Sequence, residues 1–318
     1  MLPENDDGTW ELDPAKAFAT LGNETRINVL WALWDAGSPM SYAELRREVA
    51  PDDQGNFGYH LGQLTDHFIT KSDEGYELRL AGEQVVRAIL TGTITPGPSV
   101  DPVEVDDRCS FCGGSVEVSY DDETITIRCR VCGGLVGGPH PTGTFIHYEF
   151  PPSGLEGRSA DEIVDAAHVH YDAKIIPMMH GICPECASQI DTEVEVCEDH
   201  ELDEDGLCRT CGTRNEVWTV LTCERCRYSR LSVLWVVVLN HPAVISFLYE
   251  HGVEEQIPFR KLTWENARIA RNVDVQILDT DPYRFRVTIT VEDDRLVATV
   301  DDELSIDSVD RPPLSAND

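Results

Sequence analysis

The chain has 318 residues, 41% of them hydrophobic, enough to bury more than one core, and this excludes a disordered tail. Acidic residues outnumber basic ones 58 to 25, for a formal net charge of −33, and only Lys16, Lys71, Lys174 and Lys261 among the cations are lysines. The start, Met1-Leu-Pro-Glu-Asn-Asp-Asp, lacks the basic residues and apolar core of a signal peptide, so a cytoplasmic protein is expected.

Residues 1–92 read as one helical domain with a hairpin. Asp13–Leu21 suits a short helix. Asn23 caps a second, where Ile27, Leu30, Trp31 and Trp34 recur at helical spacing and Gly37-Ser-Pro ends the pattern. Ser41-x-x-Glu44 is a capping box opening Ser41–Val49. A fourth helix is expected over Asn56–His67, with Phe57, Leu61, Leu64 and Phe68 on one stripe and Gly55, Tyr59, Gly62, Gln63 and Asp66 on its outer surface. Ile69–Ser72 and Tyr76–Leu80 flank the turn Asp73-Glu-Gly75 as a hairpin, and Ala81–Leu90 closes the domain.

The strings Leu21-Gly-Asn-Glu-Thr-Arg-Ile-Asn-Val-Leu and Gly58-Tyr-His-Leu-Gly-Gln-Leu-Thr-Asp-His-Phe-Ile resemble the ArsR-type winged helix-turn-helix regulators. The resemblance implies a homodimer built on the first and last helices, double-stranded DNA as partner, the Asn56–His67 helix in the major groove and the hairpin as a wing on the backbone. It places Asn56, Tyr59, His60 and Gln63 against base edges and Arg46, Arg47, Lys71 and Arg79 against phosphates. That family's metal-sensing cysteines have no counterpart here, because no cysteine precedes Cys109. The fourth helix also lacks Lys and Arg, so phosphate neutralisation there is weak. The acidic, lysine-poor composition resembles that of salt-loving archaea, in whose molar salt counterion release contributes little and base readout still operates.

Residues 93–104, with Pro96, Pro98 and Pro102, read as a linker. The eleven cysteines follow as Cys109-x2-Cys112, Cys129-x2-Cys132, Cys183-x2-Cys186, Cys208-x2-Cys211 and Cys223-x2-Cys226, plus Cys197, which pairs with His200 at the same spacing. Twelve ligands suit three tetrahedral zinc sites. An odd cysteine count, close pairs and a reducing compartment disfavour disulfides. Iron is the alternative for all-cysteine sets.

Cys109/Cys112 and Cys129/Cys132 flank alternating strand, acidic turn and alternating strand, the pattern of a zinc ribbon within residues 105–152, where Thr144–Phe150 adds a further strand. Both knuckles run into Gly-Gly, where a positive φ is expected. Ser159-x-x-Glu162 opens a helix to about Ile176 within 153–180; its His168 and His170 lie on different faces and read as structural or solvent-exposed. In the double-site region 181–230 a nested pairing is favoured. Thr192–Val196 and Glu216–Leu221 lead from Cys183/Cys186 to Cys223/Cys226, and the intervening loop holds Cys197, His200, Cys208 and Cys211. Sequential and cross-braced pairings stay open on spacing alone.

The uncharged run Leu231–Tyr249 is broken by Asn240-His-Pro, so a strand Leu231–Leu239 and a helix Asn240–Gly252 are expected rather than a membrane span. A helix Thr263–Arg271 follows, then strands Val273–Leu278, Arg284–Val291, Leu296–Asp301 and Glu303–Val309. Residues 231–310 thus form a small α+β domain with an antiparallel sheet, and residues 311–318 a disordered tail. The fold class expected is multi-domain α+β: winged helix, zinc ribbons and this end domain, a layout resembling a group of haloarchaeal regulators.

No nucleophile–base pair, phosphate loop or open metal site stands out, so a non-enzymatic, DNA-binding transcriptional regulator is expected. Its zinc-bearing half would be structural, dimerising or sensing, with a protein partner for that half also in view. The competing expectation is a zinc-ribbon interaction scaffold whose winged helix never touches DNA.

Overall fold

The computed structural model describes residues 14–52, 55–94, 97–252 and 272–312, and the chain divides into two units, Met1–Gly97 and Pro98–Asp318. The helix expected over Thr263–Arg271 and the tail beyond Pro312 lie outside the described residues.

In the first unit the local signals act where expected. α1 spans Pro14–Leu21, and α2, Glu24–Ala36, starts at Asn23, whose side chain accepts from the Arg26 N–H, and ends at Gly37 with φ 60. α3, Tyr42–Val49, carries the full capping box of Ser41 and Glu44. The side of α2 that is buried differs from the expected stripe. Val29, Leu30, Ala32 and Leu33 are buried, whereas Trp31 is 42% exposed. Contacts from α3, from the helices α4 and α5 described next and from the hairpin turn the buried band toward Val29 and Leu33.

α4 runs Phe57–Leu64, short of the expected His67. Thr65 is already extended and Asp66 has φ 71, so the chain turns there into the hairpin of β1, Ile69–Lys71, and β2, Tyr76–Leu78. Phe57, Leu61, Leu64 and Phe68 are buried as the stripe requires. α5, Leu80–Leu90, closes the unit.

The second unit opens inside the expected linker: β3, Val100–Arg108, pairs with β4, Ser115–Asp121. β3 is an edge strand, which tolerates Pro102 beside the register shift between Val100 and Val103. β5, Thr124–Cys129, and β6, Thr144–Glu149, complete an antiparallel sheet in the order β3-β4-β5-β6. A 3-10 turn, Pro152–Leu155, leads to α6, Ala160–Met179, which Ser159 and Glu162 cap reciprocally and which continues past the expected Ile176.

A three-stranded antiparallel sheet follows, β7 Ile190–Val196, β8 Val217–Cys223 and β9 Ser229–Val233. The strand expected over Leu231–Leu239 ends at Val233. β8 offers no partner beyond Val217, and the apolar run winds into a short helical turn, α7 Val236–Leu239, with all four residues buried. Burial on every side overrides the β-preference of three consecutive valines. His241, not Asn240, caps the next helix, α8 Pro242–Glu250, its Nδ1 accepting from the Ala243 N–H at 3.2 Å.

The chain ends in a four-stranded meander, β10 Val273–Thr280, β11 Tyr283–Val291, β12 Asp294–Asp301 and β13 Ile306–Asp310. Phe285, Val287, Ile289 and Val291 alternate inward from β11, and Leu296, Ala298 and Val300 from β12.

No break between compact units falls at the expected boundaries near 152, 180 and 230. α6 sends Ile163, Val164 and Ala167 into the core of the first sheet and Ile175 and Met178 into the core shared by the β7–β9 sheet, α7, α8 and the meander; Tyr171 packs against both. No described helix is long and apolar enough to cross a membrane.

Candidate metal centres

Turn geometry comes first. At Cys109, Cys183, Cys208 and Cys223 the cysteine N–H donates to the carbonyl five residues on, and the N–H four residues on donates back to the cysteine carbonyl, with distances of 2.8–3.1 Å. Closing that loop needs a left-handed residue at the fourth position: Gly113 (φ 73), Ala187 (φ 57), Gly212 (φ 73) and Arg227 (φ 64). The Cys129 turn differs. Its N–H donates to the Gly143 carbonyl, and the positive φ falls not on Gly133 but on Gly134, at which a Cβ would lie 2.3 Å from the Gly143 backbone.

These turns bring the cysteines into three four-donor groups, Cys109/Cys112/Cys129/Cys132, Cys183/Cys186/Cys223/Cys226 and Cys197/His200/Cys208/Cys211, the donor atoms of each lying within 4.8 Å of one another. Each can hold one metal ion. The second and third groups form the nested arrangement: β7 and β8 carry the outer tetrad at one end, with Ile190 opposite Cys223, and the loop between them carries the inner one.

Distances within the groups match tetrahedral coordination. In the first, Cys109 Sγ lies 3.6 Å from Cys132 Sγ and Cys112 Sγ 3.6 Å from Cys129 Sγ; in the second the pairs Cys183–Cys226 and Cys186–Cys223 stand at 3.6 and 3.5 Å. Four sulfurs placed about 2.3 Å from one zinc lie about 3.8 Å apart. A disulfide would need about 2.05 Å. In the third, Cys197 Sγ to Cys208 Sγ is 3.9 Å and Cys211 Sγ to His200 Nδ1 is 3.6 Å. The other ring nitrogen of His200, Nε2, donates to the Arg214 carbonyl at 3.2 Å, which leaves the Nδ1 lone pair as the donor.

Backbone amides solvate the sulfurs. Phe111 and Cys112 donate to Cys109 Sγ at 3.3 and 3.4 Å, Val131 and Cys132 to Cys129 Sγ at 3.2 and 3.4 Å, and Thr210 to Cys208 Sγ at 3.3 Å. Donation from Ser188 lowers the Cys186 thiol to about 6, and donation from the Cys211 and Thr210 amides does the same for Cys208. Burial pushes Cys109 the other way, above the usual thiol range, and a divalent cation is the charge that offsets this. Cys109, Cys183, Cys208 and Cys223 are buried while the second cysteines of the same turns, Cys112, Cys186, Cys211 and Cys226, are exposed, so each of these turns roots one ligand in the core and leaves the other at the surface. Four protein donors leave no position for water or substrate, so the groups suit structural ions.

Arg214, which nothing in the spacing of the cysteines singles out, joins the first and third groups. Its Nε donates to Gly134 O at 2.6 Å, its Nη2 to Asp205 O at 3.1 Å and to Cys132 Sγ at 3.9 Å, and its guanidinium lies 4.3 Å from the Phe111 ring.

The residues expected to meet DNA all lie in the first unit and reach no metal group within it. Tyr59 and Gln63 are exposed on α4, with Asn56 exposed at its start and His60 half-buried. Arg46 and Arg47 are exposed in the last turn of α3, Lys71 on β1 and Arg79 just before α5.

Residues 14–89 match a domain of unknown function, DUF7347. Neither the curated proteins nor the solved structures contain a match. Residues 106–306, a span that holds all twelve metal donors, match a second domain of unknown function, DUF7351, and the chain belongs to that family.

Proposed function

We propose that the chain is a DNA-binding transcriptional regulator that acts as a homodimer, with its first unit a winged helix and its second unit built around three structural zinc ions. The observation that carries the DNA reading is the outer face of α4. Gly58 and Gly62 both lie on it; a Cβ at Gly62 would meet nothing within 4 Å, and one at Gly58 only the Tyr42 hydroxyl at 3.5 Å. Packing therefore does not require either glycine, although each costs a helix interior about 1 kcal/mol relative to Ala. Bare backbone flanked by Tyr59, which is 62% exposed, and Gln63 suits close approach of a ligand surface such as the floor of a major groove.

Support for the dimer comes from α1 and α5, where Phe18 is 76% and Leu90 42% exposed and α1 has no fully buried residue. Apolar side chains left open on first and last helices suit a second copy. Zinc is favoured over iron because one group includes His200 and all three have the spacing and closed donor sets of structural zinc.

Footprinting on genomic fragments in molar potassium chloride tests the reading. A protected sequence that Tyr59→Ala and Gln63→Ala each release is the expected result; uniform failure to protect any sequence in high salt contradicts it. The competing scaffold reading is favoured by one observation, the lack of any Lys or Arg on α4. It requires that the same substitutions disturb a protein complex and no DNA complex.

A further inference from the structure

Among the spaces enclosed by the second unit, one lies between β6, α6 and β9 and has a volume of about 450 Å³. That falls in the range of small-molecule sites. Its walls are apolar and largely aromatic: Ile127, Phe145, Val164, Trp218, Val233 and Trp235. The exposed residues Arg108, Glu149, Ser229 and Leu231 mark its rim. At the rim Arg230 meets Glu149 at 3.2 Å and stacks over Tyr228 at 4.3 Å, and Arg108 donates to Gly113 O at 3.4 Å.

The polar groups of the wall are mostly engaged. Tyr171 Oη donates to Leu231 O at 2.9 Å, the Tyr148 hydroxyl to Ala167 O, and Trp218 Nε1 to Asn215 O at 2.9 Å, while His147 Nδ1 pairs with Thr126 Oγ1 at 2.9 Å. His168 differs. It projects from α6 into the wall, half-buried; its Nδ1 is sealed and without a partner among the described residues, and Nε2, which is not sealed, is the ring nitrogen left to meet a bound molecule. Burial holds the ring neutral by lowering it to about 4. The sealed Nδ1 costs stability, of the order of 1–3 kcal/mol, and a donor or acceptor in the cavity offers Nε2 the partner it lacks.

We propose that this cavity binds one small, uncharged, largely aromatic molecule per chain, whose hydroxyl, carbonyl or amine group meets the His168 imidazole. Aromatic walls favour flat rings set edge-on or offset against them. A charged ligand would have to leave water for apolar walls, since Arg108 and Glu149 stand at the exposed rim rather than inside. The site requires neither DNA binding nor dimer formation, and it lies within the span that defines the family.

The test uses the full chain, metal-loaded, in molar potassium chloride, titrated with N-phenyl-1-naphthylamine, an uncharged fluorescent arylamine, and in parallel with naphthalene, which has no polar group. Saturable binding of the arylamine at one site per chain is expected, with quenching of tryptophan emission. Val164→Trp fills the cavity and abolishes binding of both probes; Ile146→Trp, on the opposite wall, serves if the first variant misfolds. His168→Phe weakens the arylamine about five-fold and leaves naphthalene unchanged. Metal content and circular dichroism verify that each variant is folded. Absence of saturable binding, or equal binding by folded Val164→Trp or Ile146→Trp, overturns the site. Equal weakening of both probes in His168→Phe, or weakening of neither, overturns the assigned contact.

Discussion

Arg214 occupies a position where two metal groups depend on one residue by different routes. Its carbonyl orients His200, and its guanidinium reaches Cys132 Sγ and stacks on Phe111. Outer-shell partners of this kind are worth about 10–100-fold in metal affinity. Arg214→Ala removes the guanidinium and keeps the carbonyl, so it weakens zinc at the Cys109 group by about that factor and leaves the His200 group in place. Competition with a chromophoric chelator, read against the Cys211→Ser variant that lacks the third site, checks this. Lys does not restore the loss, because the planar fork that reaches two carbonyls and a ring is specific to Arg.

His168 makes a prediction of opposite character. Its folded value of about 4 lies below the ordinary imidazole value of 6.5, so the unfolded chain takes up a proton that the folded chain refuses. The neutral ring's contribution is fully present above pH 6.5 and is lost as pH falls toward 4. Between pH 7.5 and 5.5 the wild type therefore loses about 1 kcal/mol more stability than His168→Phe, measurable from urea midpoints. Equal losses in both proteins contradict the buried, neutral imidazole.

Among the elements, the cysteine turns carry the sharpest expectation. Two of the four matching turns place a non-glycine residue in the left-handed region, Ala187 and Arg227. Left-handed φ costs an L-residue roughly 1–2 kcal/mol. Ala187→Gly is expected to raise the melting temperature, and Gly113→Ala to lower it by an amount equivalent to about 1 kcal/mol, as calorimetry would show. The nested tetrads were legible because Thr192–Val196 alternates strictly, Glu216–Leu221 is rich in β-formers, and the two segments lead to the outer cysteines. Val236–Leu239 was not, since an apolar run without period reads as strand or buried helix equally well. The end of α4 was missed because Asp66 enters the left-handed region, which an aspartate in a helical pattern does not announce. Neither Arg214 nor the cavity beside His168 was visible, because both arise from contacts between residues far apart in the chain: Arg214 bonds to Gly134, and the cavity borrows walls from β6, α6 and β9.

For α4 itself, Gly62→Ala separates a structural from a functional glycine. The substitution stabilises the helix by about 0.5–1 kcal/mol, since nothing lies within 4 Å of the new Cβ, while weakening any DNA complex in which the backbone is approached closely. Stabilisation without loss of DNA affinity removes the observation on which the DNA reading rests.

At the scale of the whole molecule, acidity and metal are linked. With three divalent ions bound as proposed, eleven thiolates would outnumber six ionic charges, so the metallated chain would be more acidic than its formal −33. Screening in concentrated salt shortens the repulsion among those carboxylates and sulfurs, and stability is expected to rise with potassium chloride. In the proposed architecture the two groups rooted at sheet ends and the third on its loop would substitute bound ions for apolar core, and metal removal is expected to unfold the second unit rather than loosen it. The measurement that bears most directly on this architecture is metal content by mass spectrometry on full-length protein purified in high salt. Three zinc ions per chain is the predicted value, falling to two in Cys211→Ser; two or fewer zinc ions in the fully loaded wild type, or iron in their place, contradicts it.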